Sequence, residues 1–559
     1  MKNRLNTKRG ISLITLIITI VVIIILAAAV ILTLGDNNPI DKAKEARRVS
    51  DIANIKEEIQ MDVLGKQLEN AGDISDATLQ EILENYGTLS EEENLMDKTL
   101  TTTKGSYEIK VSDIFNGTTV KDSPKGPTFT TVANAPDISG FNKDNTYYVS
   151  WDLTSSPYQI NEDTNLKGVA PGNWYDYTQG VNHWANVKTT GGKNDCYWVW
   201  IPRYAYCITE GYHSSTAGTI DIKFLQGTTN TPIDGSSITI SNSSGSGNWN
   251  VHPAFWFDKN NNGVEDAGEQ LAGIWVAKFE ASSNSSDVVE NPSPEQLVTN
   301  GGGNTPDLKV RVKPNVTSWR GINVNNMFTV CRNLTQAGNS LENTTNLNSH
   351  MMKNIEWGAV AYLSRSVYGK NGEVWNNPYY NNTTNHSPIT GLCGNATNGK
   401  DNATTNMSNT VKYNEIGGGN ASTTGNVYGI YDMAGGAWEY VAGIYTGGTS
   451  NDNRSNLWDS NNTKYVNKYT EETTGSQSTY YGNTDKYGDA VYETSNFGYS
   501  ETGSWGSSYS SFPSSSHSVF SRGGLASDIR CAGVFAFSHN TGGAYTFYSF
   551  RPVVISSKQ

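Results

Sequence analysis

The run from Ile11 to Leu34 carries no charged side chain. It exceeds the ~20 residues that a helix needs to cross the hydrocarbon core of a bilayer. Within lipid every backbone amide must be paired inside the segment, so an uninterrupted helix is the structure open to this run. Lys2, Arg4, Lys8 and Arg9 precede it. Basic flanks stay on the cytoplasmic side, which places everything after Leu34 outside the membrane. A secretory peptide destined for removal has a shorter apolar region.

Beyond Pro39 the segment DKAKEARRVSDIANIKEEIQMDVLGKQLENAG places Ile, Val, Met and Leu at three- and four-residue steps. That period predicts a helix continuing outward from the anchor. SYEIKVSDIF (106–115) predicts a short strand closing a small head, so 35–118 reads as stalk and head. Lys121, Pro124, Lys125 and Pro127 mark 119–135 as a linker. The rest, 136–559, is long enough for one large domain.

That domain changes in character. TYYVSWD (146–152), CYWVWIPRYAYCI (196–208) and GIWVAKFEA (273–281) are aromatic and β-branched runs that predict strands. Helical spacing is confined to SHMMKNIEWGAVAYLSRSVYG (349–369) and a short stretch starting in YDMAGGAWEYVAG (431–443). The expected class is therefore α+β and loop-rich. A net charge of −13 with 17% charged residues excludes the concentrated basic face of a nucleic-acid binder. The five cysteines include no CxxC pair. Cys196 and Cys207 flank one apolar run and are candidates to pair, but the set is no disulfide framework.

Two tracts carry the candidate chemistry. From Ser521 to Val554 the sequence alternates framework, AGVFAF (532–537) and SFRPVV (549–554), with runs of mixed chemistry. The mixed residues are Leu525, Ala526, Ser527, Asp528, Ile529, Arg530 and Cys531, then Ser538, His539, Asn540 and Thr541, then Tyr545, Thr546, Phe547 and Tyr548. A fixed backbone with scattered side chains predicts a ligand-binding surface, because a catalytic site needs particular residues held by their surroundings. Aromatic residues would supply rigid contact area there and small polar residues adaptable hydrogen bonds. The second tract is DKNNNGVEDAGE (258–269). Asp258, Asn260, Asn262, Asp266 and Glu269 stand at EF-hand ligand positions, Val264 offers its carbonyl, and Gly263 falls at the sharp turn. Flanking strands AFWF (254–257) and LAGIWVAKFE (271–280) would make it a hairpin tip. Calcium is the one cofactor indicated, and no organic cofactor is. The Gly- and Ser-rich stretches 245–249 and 503–518 read as loops.

KRG followed by ISLITLIITIVVIII resembles a type IV prepilin leader. The resemblance implies cleavage after Gly10, a methylated Ile11 and association with other pilins; Thr15 stands where that family has a glutamate. WIPRYAY (200–206), WVAKFEA (275–281), IEWGAVAY (355–362), YGIYDMAGGAWEYVAG (428–443), SRGG (521–524) and SFRPV (549–553) resemble the formylglycine-generating-enzyme family, whose fold is a variant of the C-type lectin fold. Copper-dependent members use two cysteines near the C-terminus. Arg530, Cys531, Ala532 and Gly533 match the second, but Ala526 occupies the place of the first. The iron-dependent relatives use a histidine cluster, and the seven histidines here show no such pattern. RGG…AGVFAF…FRPV also resembles variable proteins of diversity-generating retroelements. There, mutated AAC codons yield any codon ending in C, which excludes Lys, Glu, Gln, Met and Trp; none of these occurs in the three mixed runs.

Together these readings imply a bacterial surface protein. It would be held by a pilin-like helix and bind a protein or glycan on a cell or phage through an extracellular C-type-lectin-like domain. An oxidoreductase of the formylglycine-generating type and a structural minor pilin are the alternatives.

Overall fold

The computed structural model describes scattered positions between 48 and 66, residues 75–111 except 93, Ile114, and residues 132–284, 308–380, 387–395, 402–470, 480 and 486–556. The Ile11–Leu34 run, with Gly10 and Ile11, lies outside these. Among the described residues no helix is long and apolar enough to cross a membrane. The chain divides into two compact units, Met1–Thr128 and Phe129–Gln559.

The smaller unit is built on period. The positions described between 48 and 66 are helical. Ile55, Ile59 and Val63 are buried one turn apart, in one core with Leu79, Ile82 and Leu83 of helix Asp76–Glu84. Ser75 starts that helix by accepting the Thr78 N–H at 3.3 Å. Three antiparallel strands, Gly87–Leu89, Thr99–Thr102 and Glu108–Lys110, complete the unit. The strand expected over 106–115 is confined to the last of these, and Val111 and Ile114 are helical and buried.

The larger unit is a mixed α+β domain around two seven-stranded sheets. In the first sheet the order runs through strands Leu347–Met351, Pro552–Ser556, Gly273–Ala277, Cys196–Pro202, Asn186–Thr189, Thr146–Asp152 and Gln159–Asn161. The second is ordered Asn467–Tyr469, Trp438–Tyr445, Val519–Gly523, Gly533–Asn540, Ser508–Ser511 and Tyr499–Ser504, with Tyr548–Phe550 paired to Trp438–Tyr445. Side chains from both sheets, including Trp198, Trp200, Trp275, Trp357 and Trp505, share one buried core. The unit starts ahead of Pro136. Asn134 donates to the carbonyls of Gly227 and Ala272, both at 2.9 Å, and accepts the Gly227 N–H at 2.8 Å.

Several expectations are corrected. The 196–208 run is two strands of different sheets, broken at Arg203, whose buried guanidinium donates to Phe255 O at 3.0 Å. Strand 273–281 stops at Ala277. Cys196 and Cys207 are both free thiols on those separate strands, facing Thr189 and Asp221 in register. The helix expected over 349–369 spans Asn354–Arg365, while Leu347–Met351 pairs with Pro552–Ser556. Its first turn is set by Glu356, which accepts the Lys353 N–H and the His350 ring, both at 2.8 Å. The stretch after Tyr431 forms no helix; Trp438–Tyr445 is a strand buried throughout between Val519–Gly523 and Tyr548–Phe550. Its Ala and Gly residues mimic helical spacing, and cross-strand packing overrides that preference. AFWF begins as a single helical turn, Pro253–Phe255, with Trp256 bridging Gln270 antiparallel.

Candidate functional site

The framework of the 521–554 tract is fixed by buried charge and glycine. Strands Val519–Gly523 and Gly533–Asn540 pair antiparallel, and their register jumps between Arg522 and Gly523. Arg522 is fully buried and donates to the carbonyls of Asp489 and Ala490, both at 3.0 Å. Gly524 sits at φ +85, and a Cβ there would stand 2.5 Å from Ala532 Cα, so no larger residue fits. Gly436, at φ +69, is equally constrained, because its Cβ would meet Glu280 Oε1 at 2.5 Å. The Glu280 carboxylate accepts the Ala437 N–H at 2.9 Å, so the 432–437 turn closes over a buried acid. Burial first, and then the charges of Asp432 and Glu439, push the Glu280 carboxyl well above the usual range.

On that frame the mixed runs divide. Ser527, Asp528 and Cys531 are half-buried, and Ile529 and Arg530 are exposed. Ser538, His539, Asn540, Thr541, Thr546 and Phe547 are half-buried, and Tyr545 is exposed. Three residues expected as contacts lie inside instead: Leu525, Ala526 and Tyr548. Leu525 joins the core, and Ala526 donates its N–H to Gly436 O at 2.9 Å. Tyr548 stacks on Tyr440 with centroids 4.3 Å apart. Its hydroxyl accepts from Asn540 at 2.8 Å, and burial, aided by the nearby Asp528 charge, pushes its pKa up to about 12. Tyr548 thereby joins the three runs from beneath. His539 is tied to Ser511 Oγ at 3.0 Å, and burial, with the neighbouring His517, lowers its pKa to about 4, so its imidazole is uncharged at neutral pH.

The surface also recruits aromatic residues from outside the tract. Tyr545 stacks with Phe547 at 5.8 Å, and Trp438 donates its N–H to Phe547 O at 3.1 Å. The Trp438 ring lies edge-on to Tyr509 at 6.0 Å, and Tyr509 to Tyr499 at 6.3 Å. Tyr499 is 63% exposed and Phe497 53%. Tyr509 lies on strand Ser508–Ser511, which corrects the loop expected over 503–518, and Tyr499 opens strand Tyr499–Ser504. In SYSSF (508–512) the aromatic residues are three apart, so no strand period is legible there, and the buried positions of the strand are serines.

The tract shows no copper pair. Ala526 is buried, and burial, with the charge of Glu501, raises the Cys531 thiol above its ordinary value. Among the described residues no three His, Cys, Asp or Glu side chains converge as a metal cage.

The 258–269 loop is closed by its own amides. Asp258 accepts the N–H groups of Asn262 at 3.0 Å and Gly263 at 2.7 Å. Glu269 accepts from Lys259 N at 2.7 Å, and from the Trp256 indole and Asp266 N, both at 3.0 Å. Asp266 Oδ2 accepts the side-chain amides of Asn260 and Asn262, both at 2.8 Å. Val264 is exposed. The three carboxylates are thus held by N–H groups of the loop and of Trp256, and the Asn260 and Asn262 side chains turn their amide N–H groups to Asp266. Asn261 pins the loop elsewhere, donating to Ser460 O at 2.8 Å and accepting Lys464 N–H at 2.9 Å.

Compared with protein-family models the chain matches none, and no curated protein matches it significantly.

Proposed function

We propose that this is a surface-displayed binding or adhesion protein of a bacterium. A pilin-like N-terminal helix, processed at Gly10, anchors it, and a face built from residues 527–531, 538–541 and 545–547 of a C-type-lectin-like outer domain recognises a protein or glycan ligand. One observation carries the reading: exposed and half-buried residues of mixed chemistry stand on a frame whose own residues are buried and hydrogen-bonded. That division of labour suits recognition, where a rigid scaffold carries exchangeable contacts. Two aromatic pairs, Tyr545 with Phe547 and Tyr509 with Tyr499, add rigid contact area of the kind that dominates binding energy. Diversification by a retroelement is part of the proposal. It expects the codons of exposed tract positions to end in C, beside a near-identical template copy in the flanking DNA; scattered third bases overturn that part.

Glycan and protein arrays probed with the full-length chain in detergent test the binding reading. The Tyr545→Ser, Phe547→Ser pair is expected to weaken array binding by about thirtyfold, the scale of a lost hot spot. Binding indifferent to that pair overturns the assignment of the face.

Two further parts of the proposal concern metals. Calcium binds the 258–269 loop and stiffens the hairpin it closes. The outer domain is no copper oxidase: with Ala526 in place of a second thiol, Cu(I) titration of the full chain should give the same isotherm for wild type and Cys531→Ser. A tight site lost in Cys531→Ser would favour the oxidoreductase alternative.

A further inference from the structure

A cavity of about 490 Å³ opens at the Arg530 end of the tract. Its walls are the 215–217 turn, Thr502, the Gly506–Ser507 turn and the Arg530 side chain. The lining offers four hydroxyls, from Ser215, Thr216, Thr502 and Ser507. Among the described residues none of the four enters a hydrogen bond, and Arg530 enters no salt bridge; its hydrogen-bonding neighbour is the Cys531 thiol. The four hydroxyls thus have hydrogen-bonding capacity to spare, as do the Arg530 N–H groups beyond the one turned to Cys531.

We propose that this cleft takes a sugar bearing a carboxylate, a uronic- or sialic-type residue. The proposal rests on the reading of the tract as a binding face. A guanidinium pairs best with a planar carboxylate, two N–H groups to two oxygens. Hydroxyls that both donate and accept match a polyol ring better than a bare anion, which can only accept. The volume falls within the ~300–1,000 Å³ range of small-ligand sites and accommodates one saccharide unit with its water. Two acids stand near this end of the tract, Glu501 and Asp528, and neither lines the cleft. Thr502 lines the cleft, while Glu501 acts on Cys531, which does not. All walls but Arg530 come from outside the mixed runs, so residue 530 sets the charge that the cleft selects.

Calorimetric or NMR titration of the full-length chain in detergent tests this. The probes are methyl glucuronide, methyl glucoside and inorganic phosphate. Methyl glucuronide should bind at least about tenfold more tightly than the other two, the factor one charge-assisted hydrogen bond supplies. Arg530→Gln should abolish the preference, and Thr502→Val should weaken glucuronide while leaving the unfolding temperature unchanged. Equal binding of glucoside overturns the role of Arg530, and equal binding of phosphate overturns the saccharide. If no probe binds while array binding still depends on Tyr545 and Phe547, the cleft assignment falls and the binding face stands. If both fail, both readings fall together.

Discussion

Arg551 grips Glu439 with two hydrogen bonds, Nη2 to Oε1 at 2.6 Å and Nε to Oε2 at 3.1 Å, in a site fully closed to solvent. The same guanidinium donates to Ala277 O at 2.7 Å and Tyr431 O at 2.9 Å. Arg551 stands between strand Tyr548–Phe550 of the second sheet and strand Pro552–Ser556 of the first. It is therefore the residue at which the chain crosses between sheets, with every guanidinium nitrogen satisfied. The SFRPVV frame below the binding face is an electrostatic clasp.

Removing one partner of such a pair leaves an unpaired buried charge. Arg551→Met is expected to cost about 3–5 kcal/mol, and Glu439→Gln somewhat less, since the amide oxygen still accepts one N–H. The double variant Arg551→Met, Glu439→Leu should recover part of the loss. Urea midpoints on the full chain check this; a cost below about 1 kcal/mol for Arg551→Met would show that the clasp is not structural.

Glu493 Oε2 accepts from the Tyr206 hydroxyl at 2.7 Å, the Tyr362 hydroxyl at 2.9 Å and Gly488 N at 2.7 Å. Burial raises its pKa from 4.5 to about 7. The folded state keeps a proton that the unfolded state has released between those values. Stability therefore falls as pH rises through that window and levels off above it. Glu493→Gln copies the protonated form. It should flatten this part of the profile and exceed the parent above pH 7 by about 2–3 kcal/mol. Urea midpoints for parent and variant that fall in parallel from pH 5 to 8 would sink the prediction.

Ile529 adopts φ 55, ψ −122 within the 526–531 turn. A β-branched residue is strained there, at a cost of about 1–3 kcal/mol, whereas glycine is at ease. Ile529→Gly should raise stability by about 1 kcal/mol after the added chain entropy is counted. It should also weaken array binding, because the side chain removed is 42% exposed on the proposed face. A lower melting temperature for Ile529→Gly would contradict the strain.

Calcium added to the chelator-treated chain should raise the unfolding temperature of wild type, and Asn262→Ala, which removes one oxygen, should reduce that shift. At calcium about a hundredfold above Kd the gain is ~2.7 kcal/mol. Unfolding curves identical in calcium and chelator would rule the site out.

Part of this was legible in residue order alone. The strands at 146–152 and at the start of 196–208 and 273–281 announce themselves because β-branched and aromatic residues pack poorly elsewhere. That Asp528 to Arg530 and Tyr545 to Phe547 are exposed or half-buried was legible as mixed chemistry between framework runs. Leu525, Ala526 and Tyr548 were misplaced because sequence shows which positions break a pattern but not which way their side chains turn. Tyr499 and Tyr509 were missed because their neighbours in space come from segments far away along the chain.

By itself the sequence determined the class of element wherever one local pattern dominated: the buried strands, the turn glycines and the loop of alternating Asp and Asn. These are local properties, set by covalent geometry and by the pairing needs of a few consecutive residues. Only the tertiary structure decided that 438–445 is a strand, that Cys196 and Cys207 stay apart, and that Arg530 faces a cleft made by residues from two other loops. Those outcomes depend on which distant segments compete for the same space, and burial and charge pairing settle that competition only once the chain has closed on itself.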